Sequence, residues 1–324
     1  MNKNEIYHMK GNEGMLIIDG HCDTIEKALD KRINLKNEEL SINLQMALEH
    51  TPMIQTMAAY VAPNYKNAFR RAYDVLTYFE QQQKLYSNDL MQVTTLKDID
   101  TVMEEKKFGL LLAIENGSAI EDNVSNVDYF YQKGVRIMSI TWNEDNLLGS
   151  GTLTKLDNGL TELGEKYIQK LNEKNIIIDV SHSSPKTFWN TIEITQKPIV
   201  ATHSCVDALC HHPRNLTNEQ IKQIAQMGGI IGICYCTQFL SPDGIAGTKE
   251  IAKHIAYVAN LVGIDYVGLG SDFDGLEPEE LPTDLRNIGE IDHLIKALRN
   301  IGFRENEIRK IMGENWLRIF KENL

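Results

Sequence analysis

The sequence Asn175-Ile-Ile-Ile-Asp-Val-Ser-His182 decides the fold class of this chain. Its apolar residues are nearly continuous, without the alternation of a strand that has one face in water. Strands buried on both faces, as in parallel sheets covered by helices, have this composition. The stretch therefore predicts a buried strand of an α/β fold that ends at a histidine.

Seven other short apolar runs share this strand character, and longer amphipathic segments separate them. Such alternation is the signature of a parallel sheet wrapped by helices. The eight predicted strands, of which the second is weak, are Met15–Asp23, Met53–Val61, Phe108–Asn116, Val135–Trp142, Ile176–His182, Pro198–His203, Gly229–Cys236 and Tyr266–Asp272. We therefore expect an α/β fold of the (β/α)8 TIM-barrel type.

Helix signals lie between and after these runs. Thr217-Asn-Glu-Gln220 is a capping box, in which the first and last side chains each bind the other residue's backbone amide. A helix over Thr248–Val262 is predicted to end at Gly263 in a left-handed cap. Two more helices are predicted over Ile288–Phe303 and Glu305–Phe320.

Composition limits what the chain can be. Its 324 residues contain no linker rich in proline, glycine or serine, so we expect a single domain over residues 1–324. A formal net charge of −12 provides no basic surface for a phosphate backbone, which argues against nucleic acid as a partner. Small molecules are the expected substrates.

The cysteines and the apolar runs predict a cytoplasmic protein. Five cysteines without a repeated spacing fit a reducing compartment better than a disulfide framework. The polar stretch Met1–Lys10 and the short run after it do not form a signal peptide, and no run approaches the ~20 apolar residues of a membrane span.

Several predicted strands end in residue types that bind metal ions. The candidates are His21, Asp23, Glu115, His182, His203 and Asp272. In an α/β barrel the carboxyl ends of all strands open onto one face, where active sites are built. Residues distant in sequence are therefore expected to meet there.

Strand geometry groups these candidates. Side chains of a strand alternate faces, so His21 and Asp23 point the same way and can bind one ion together. His182 and His203 end successive strands about 4.8 Å apart, close enough to share another ion. Glu115 follows a buried apolar run, and its two carboxylate oxygens can bridge two cations ~3.5–4 Å apart.

Other clusters of ligand types do not fit a metal site. Adjacent side chains of Cys210-His211-His212 seldom converge on one ion, so we expect a positioning role at most. Cys234 and Cys236 lack the spacing of redox or zinc motifs and are interpreted as core residues. Asp274 shares a face with Asp272 and is expected to orient a neighbour rather than bind metal.

Four segments resemble the signature sequences of the membrane dipeptidase (renal dipeptidase) family of zinc peptidases, which belongs to the amidohydrolase-type barrels. They are Asp19-Gly-His-Cys-Asp23, Asp179-Val-Ser-His182, His212-Pro-Arg-Asn-Leu-Thr217 and Gly268-Leu-Gly-Ser-Asp-Phe-Asp-Gly275. The resemblance runs in order from about residue 15 to about residue 320.

The resemblance implies a role for each site residue. His21 and Asp23 would bind one zinc ion, His182 and His203 the other, and Glu115 would bridge both. Asp272 would hold the bridging water and the free amine of the substrate. Arg214 would bind the terminal carboxylate of a dipeptide, for which a guanidinium group has the matching two-donor geometry.

The chain departs from the family pattern near the substrate. Trp142 stands where well-studied members have a histidine that helps polarise the scissile carbonyl, so Asn143, the metal ions or a nearby loop would take over that task. Cys236 occupies a position where a substrate-contacting tyrosine is common, and Cys22 replaces an asparagine between two ligands. Trp142 and Asn143 are therefore predicted substrate contacts.

These inferences predict a metallo-dipeptidase that contains two divalent ions. The resemblance implies that the ions are zinc and that the substrates are small dipeptides, including those with a D-residue at the C-terminal position. Two ions lower the pKa of a bridging water from about 15.7 toward ~7, and Asp272 would transfer its proton to the leaving amine. Hydrolysis of a lactam, cyclic amide or N-acyl amino acid stays open, as does a non-catalytic metal-binding barrel. Family habit suggests a homodimer.

Overall fold

The computed structural model describes residues 14–63, 65–195 and 197–324. Its strands are β1 Ile17–Cys22, β2 Met53–Tyr60, β3 Leu90–Gln92, β4 Phe108–Glu115, β5 Val135–Ser139, β6 Ile177–Asp179, β7 Ile199–Ser204, β8 Ile230–Ile233 and β9 Val267–Leu269. Eight of them close into a parallel barrel.

The helices follow the strands in sequence. They are α1 Thr24–Lys31, α2 Leu44–Glu49, α3 Ala68–Leu85, α4 Leu96–Glu105, α5 Asn126–Gln132, α6 Glu162–Lys174, α7 Pro185–Ile194, α8 Asn218–Gln226, α9 Thr237–Leu240, α10 Thr248–Val262, α11 Ile291–Asn300, α12 Glu305–Arg309 and α13 Asn315–Asn323. A π-helical segment, Lys310–Glu314, joins α12 to α13. Among the residues described, no helix combines the length and apolarity needed to cross a bilayer.

Strand pairing closes the barrel between β2 and β4. β2 pairs with β4 along its whole length, from Met53 opposite Phe108 to Tyr60 opposite Glu115. The other edge of β4 is shared, because β3 pairs with its first half and β5 with its second half. The short β3 is thus an addition to an eight-stranded barrel in which every pairing is parallel.

Alternating side chains divide the core into two layers. In β4, Leu110 and Leu112 pack toward the surrounding helices, whereas Leu111 packs in the barrel interior with residues of the other strands. Trp316 of α13 closes that interior, and its indole N–H donates to the carbonyl of Leu269 at 2.8 Å. The ring requires a glycine at Gly268, where a Cβ would lie 2.9 Å from it.

The structure confirms the barrel and most of the predicted elements. Both hydrogen bonds of the capping box Thr217–Gln220 are present. Gly263 ends α10 as predicted, but the expected left-handed cap is wrong: φ is 110° and ψ is 156°, so the chain leaves the helix in an extended glycine conformation. The helix predicted over Glu305–Phe320 contains the π segment that the apolar spacing did not reveal.

Candidate metal centre

The six candidate ligands lie at the carboxyl-terminal face of the barrel. His21 is in β1, Glu115 ends β4 and His203 is in β7. Asp23 follows β1 directly, whereas His182 and Asp272 lie in the loops after β6 and β9. Five of them, His21, Asp23, Glu115, His182 and His203, are buried, and Asp272 is partly buried. The parallel strands therefore bring these distant residues together as the sequence predicted.

Glu115 lies at the centre of the cluster. Its Oε1 is 2.9 Å from Nε2 of His182 and 3.7 Å from Nε2 of His203. Its Oε2 is 3.3 Å from Nε2 of His21. Because the two oxygens face different imidazoles, the carboxylate has the orientation that a bridge between two cations requires.

His21 and Asp23 form one side of the cluster. Nε2 of His21 is 3.5 Å from Oδ2 of Asp23 and 3.8 Å from Oδ1 of Asp272. Nε2 of His21 and Oδ1 of Asp23 are buried and make no hydrogen bond with the described residues. Buried polar atoms are rarely left unpaired, so this donor set fits a cation.

His182 is held with a lone pair directed into the cluster. Nη2 of Arg214 lies 3.1 Å from Nε2 of His182, and a guanidinium group only donates, so Nε2 is the acceptor. The imidazole proton is then on Nδ1, which lies 2.8 Å from Oδ1 of Asn143. Nε2 of His203 faces the same lone pair at 2.7 Å. Two facing imidazole nitrogens beside Glu115 fit a shared metal ion.

Three overlapping sets of these residues place their ligand atoms within 4.8 Å of one another. The sets are His21, Asp23 and Glu115; Glu115, His182 and His203; and His21, His203 and Asp272. Imidazole and carboxylate ligands suit zinc and other first-row divalent ions. The residues present therefore fit two adjacent ions that share Glu115.

Burial and charge shift the ionisation of these groups in opposite directions. Burial, together with the Arg214 cation, lowers the pKa of His182 to about 3 and that of His203 well below its usual value, so both are neutral imidazoles suited to bind metal. Burial alone would raise the pKa of Glu115, but His21 and His182 outweigh it and lower that pKa. Burial raises the pKa of Asp272.

Two of the site residues have unusual backbone conformations. His182 has a φ of 66° and Asp272 a φ of 62°, and residues other than glycine seldom adopt positive φ values. The amide of Asp272 donates to the carbonyl of His21 at 3.1 Å, which fixes the loop after β9 against β1. Such conformations cluster at functional sites, because the surrounding structure must stabilise them.

Arg214 is buried beside the cluster rather than on the surface. It is 5% exposed, its Nη2 donates to the carbonyl of His203 at 3.0 Å, and its guanidinium lies over the ring of Phe239. Within the described residues, no carboxylate forms an ion pair with it. A buried cation without an anion is costly, so its position favours an anionic ligand.

A cavity of about 760 Å³ opens from the cluster to the surface. Its lining includes Glu115, His182, Arg214, Asp272, Trp142, Asn143, Tyr60 and Cys236. Trp142 stacks on His182, with ring centres 5.7 Å apart, and Tyr60 packs against Trp142 at 5.4 Å. The two aromatic rings form a wall beside the ligands.

Trp142 and Asn143, which were predicted to contact the substrate, both line the cavity. Their contact with substrate stays a prediction. Asn143 binds His182, a partnership that its sequence position did not reveal. Tyr60 also lines the cavity but was not predicted to do so, because the sequence pattern of the second strand was weak. Its position as the last residue of β2 was the signal that could have identified it.

The residues that were not expected to bind metal lie outside the ligand cluster and have other contacts or face solvent. The carboxylate of Asp274 binds Thr24, Lys27 and the amide of Ser41, and so orients loops at the cavity rim. The side chain of His211 is 92% exposed. Nδ1 of His212 accepts a hydrogen bond from the amide of Arg214, which agrees with the predicted positioning role.

The family model described as "Membrane dipeptidase (Peptidase family M19)" matches residues 12–323. The chain belongs to this family. A curated relative from Klebsiella pneumoniae, named an uncharacterized protein in the pqqA 5′ region, is 36% identical over 234 residues, which cover 69% of this chain and 85% of that protein.

Two solved structures share the fold of this chain. An amidohydrolase from Pseudomonas aeruginosa is 28% identical, with a TM-score of 0.82 over 95% of this chain and 96% of that one. A metallo peptidase from Rhodobacter sphaeroides, solved with a phosphinate mimic of the dipeptide L-Ala-D-Ala, is 23% identical, with a TM-score of 0.89 over 96% and 100% of the two chains. The likeness to the Rhodobacter sphaeroides structure shows that the two chains share the barrel fold.

Proposed function

We propose that this protein is a dipeptidase that uses two zinc ions held by His21, Asp23, Glu115, His182 and His203. Membership of the membrane dipeptidase family and the convergence of these side chains support the proposal. Glu115 would bridge the ions. When bound, the pair would supply Lewis acidity and a water whose pKa falls from about 15.7 toward ~7.

The observation that carries the choice of substrate is the buried guanidinium of Arg214. It borders the same cavity as the ligand cluster and has no carboxylate partner among the described residues. Its two-donor geometry suits a terminal carboxylate close to the scissile bond. This requirement would limit the enzyme to very short peptides.

The remaining polar groups would orient the substrate and move protons. Asp272, whose Oδ1 is 3.8 Å from Nε2 of His21, would take the proton of the attacking water and transfer it to the leaving amine. Trp142 and Tyr60 would exclude water from one side of the cavity. Asn143 would keep His182 in its metal-binding orientation.

A matched set of substrates tests the proposal. Purified enzyme loaded with zinc is offered L-Ala-L-Ala, L-Ala-D-Ala, their C-terminal amides, N-acetyl-alanine and a cyclic dipeptide. A dipeptidase hydrolyses the free dipeptides and loses most activity on the C-terminal amides, because these lack the carboxylate that Arg214 would bind. Equal activity on free and amidated dipeptides would refute the role of Arg214 in selecting substrate.

A second candidate is hydrolysis of another small amide. The likeness to the Pseudomonas aeruginosa amidohydrolase, at 28% identity, favours keeping it. Turnover of N-acetyl-alanine or the cyclic compound without turnover of free dipeptides would select this alternative. Metal binding without turnover of any amide would instead indicate the non-catalytic barrel.

A further inference from the structure

Asp179, which opens the motif Asp179-Val-Ser-His182, has no part in the chemistry proposed above. It is 3% exposed, ends β6 and pairs with Val200 of β7. Its Oδ1 accepts hydrogen bonds from the amides of Ser181 at 2.9 Å and Thr202 at 3.0 Å. Its Oδ2 accepts a third from Oγ1 of Thr202 at 2.6 Å. The aspartate therefore joins the loop of one candidate ligand to the strand of the next, His203.

These hydrogen bonds determine where the proton of Thr202 lies. A carboxylate only accepts, so the hydroxyl of Thr202 donates its single proton to Oδ2 of Asp179. Oγ1 of Thr202 also lies 2.9 Å from Nδ1 of His203. Because the hydroxyl proton is already donated, this contact requires the proton to be on Nδ1 of His203.

The consequence appears at the other nitrogen of the ring. Nε2 of His203 is left with a lone pair that faces Oε1 of Glu115 at 3.7 Å and Nε2 of His182 at 2.7 Å. We propose that Asp179 and Thr202 form a relay that holds His203 in the tautomer able to bind a metal ion through Nε2. Metal-binding histidines often donate directly to a carboxylate. In this chain a threonine hydroxyl stands between the two groups.

The two imidazoles of this pair have independent anchors. Nδ1 of His182 is held by Oδ1 of Asn143, and its Nε2 accepts from Arg214. Neither contact involves Asp179 or Thr202. Disruption of the relay is therefore expected to weaken the binding of His203 and to leave the orientation of His182 unchanged.

The inference rests on the proposed metal centre, and Thr202→Val tests it. Valine keeps the shape of the side chain and removes the hydroxyl. Zinc dissociation constants, measured by competition with a chromogenic chelator, should show one ion bound about 10- to 100-fold more weakly. Thr202→Ser restores the hydroxyl and should recover affinity close to that of the wild type.

Thr56→Val is the matched control. Thr56 is also buried in a barrel strand, but its hydroxyl makes no hydrogen bond with the described residues. Loss of this hydroxyl should leave both dissociation constants unchanged. Circular dichroism of each variant verifies that the barrel is folded.

Asp179→Asn tests the direction of the relay. The Oδ1 of asparagine can accept from both backbone amides while its NH₂ group donates to Thr202, which reverses the relay and places the imidazole proton on Nε2. This variant should lose as much affinity as Thr202→Val, and the double variant should lose no more than either.

Two results would overturn the relay. One is wild-type affinity for both ions in Thr202→Val and Asp179→Asn; the other is a Thr202→Ser variant as weak as Thr202→Val. If the wild-type chain itself bound no zinc, the proposed function would fail and the relay with it. If the wild-type protein binds two ions and the variants contradict the relay, only the relay fails and the proposed metal centre stands.

Discussion

At the scale of single residues, the candidate site depends on contacts between neighbours in space. The alternation of a strand explains why His21 and Asp23 could be paired from sequence alone. The same reasoning could not show that Asn143 binds His182, because the two lie 39 residues apart in different loops. The burial of Arg214 was equally invisible, since it follows from packing on Phe239 and on the carbonyl of His203.

His182→Ala is expected to lose one of the two zinc ions together with dipeptide hydrolysis. The substitution removes the imidazole that faces both Glu115 and His203. Metal analysis of the purified variant should give about one ion per chain, against about two for the wild type.

His211→Ala is the control for this substitution. His211 is a neighbouring histidine with a side chain 92% exposed, so its loss should change neither metal content nor activity. Retention of both ions and full activity by His182→Ala would show that the assigned ligand set is wrong.

Arg214→Lys is expected to lower kcat/KM for free dipeptides by about 10- to 100-fold, the effect of losing a charge-assisted hydrogen-bond pair of roughly 1.5–3 kcal/mol. Lysine keeps the charge but cannot form the two-donor contact. Steady-state kinetics with free and C-terminally amidated dipeptides measures the effect.

The amidated substrates provide the control for Arg214→Lys. They lack the carboxylate, so the substitution should change their already low kcat/KM much less. A uniform loss on both substrate types would instead indicate that Arg214 acts through its contacts with His182 and His203.

At the scale of secondary structure, strong local patterns were predictable and short or irregular elements were not. The continuous apolar runs predicted the barrel strands. β3 has only three residues and pairs with the first half of β4, along the edge that β5 leaves unpaired, so its own sequence carried little signal. The π segment Lys310–Glu314 lies between α12 and α13 without a break, and its mixture of buried apolar and polar residues does not differ from that of an ordinary helix in sequence.

Thr217→Ala is expected to destabilise the protein by about 1 kcal/mol, the usual cost of losing an N-cap side chain. Thr217 accepts the amide of Gln220 and begins α8 beside the segment that carries Arg214. The midpoint of urea denaturation should decrease, with little change in zinc content.

Ser125→Ala is the matched control, because Ser125 precedes α5 without a side-chain cap hydrogen bond. Its denaturation midpoint should stay near that of the wild type. Equal shifts for the two variants would contradict a specific contribution from the capping box.

At the scale of the whole molecule, barrel closure brings the ligands together. The pairing of β2 with β4 and of β1 with β9 places residues from opposite ends of the sequence at one face. The eight-strand pattern allowed this convergence to be predicted. The shape of the cavity could not be predicted from sequence, because Tyr60 and Trp142 come from different strand ends and pack against each other.

Metal removal should destabilise the barrel, because the proposed ions would join strand ends that are distant in sequence. A ligand present at 100 to 1,000 times its Kd stabilises the folded state by about 2.7 to 4.1 kcal/mol. Dialysis against EDTA should therefore lower the Tm, and zinc should restore it. An unchanged Tm in protein verified to have lost its metal would argue against ions that link the strands.

The proposed metal centre requires five side chains that are distant in sequence to hold two adjacent ions. Anomalous diffraction at the zinc edge from crystals grown with zinc tests it most directly. We expect two peaks about 3.5–4 Å apart, on either side of Glu115, one beside His21 and Asp23 and the other beside His182 and His203. Absence of density between these residues, or imidazoles turned away from Glu115, would contradict it.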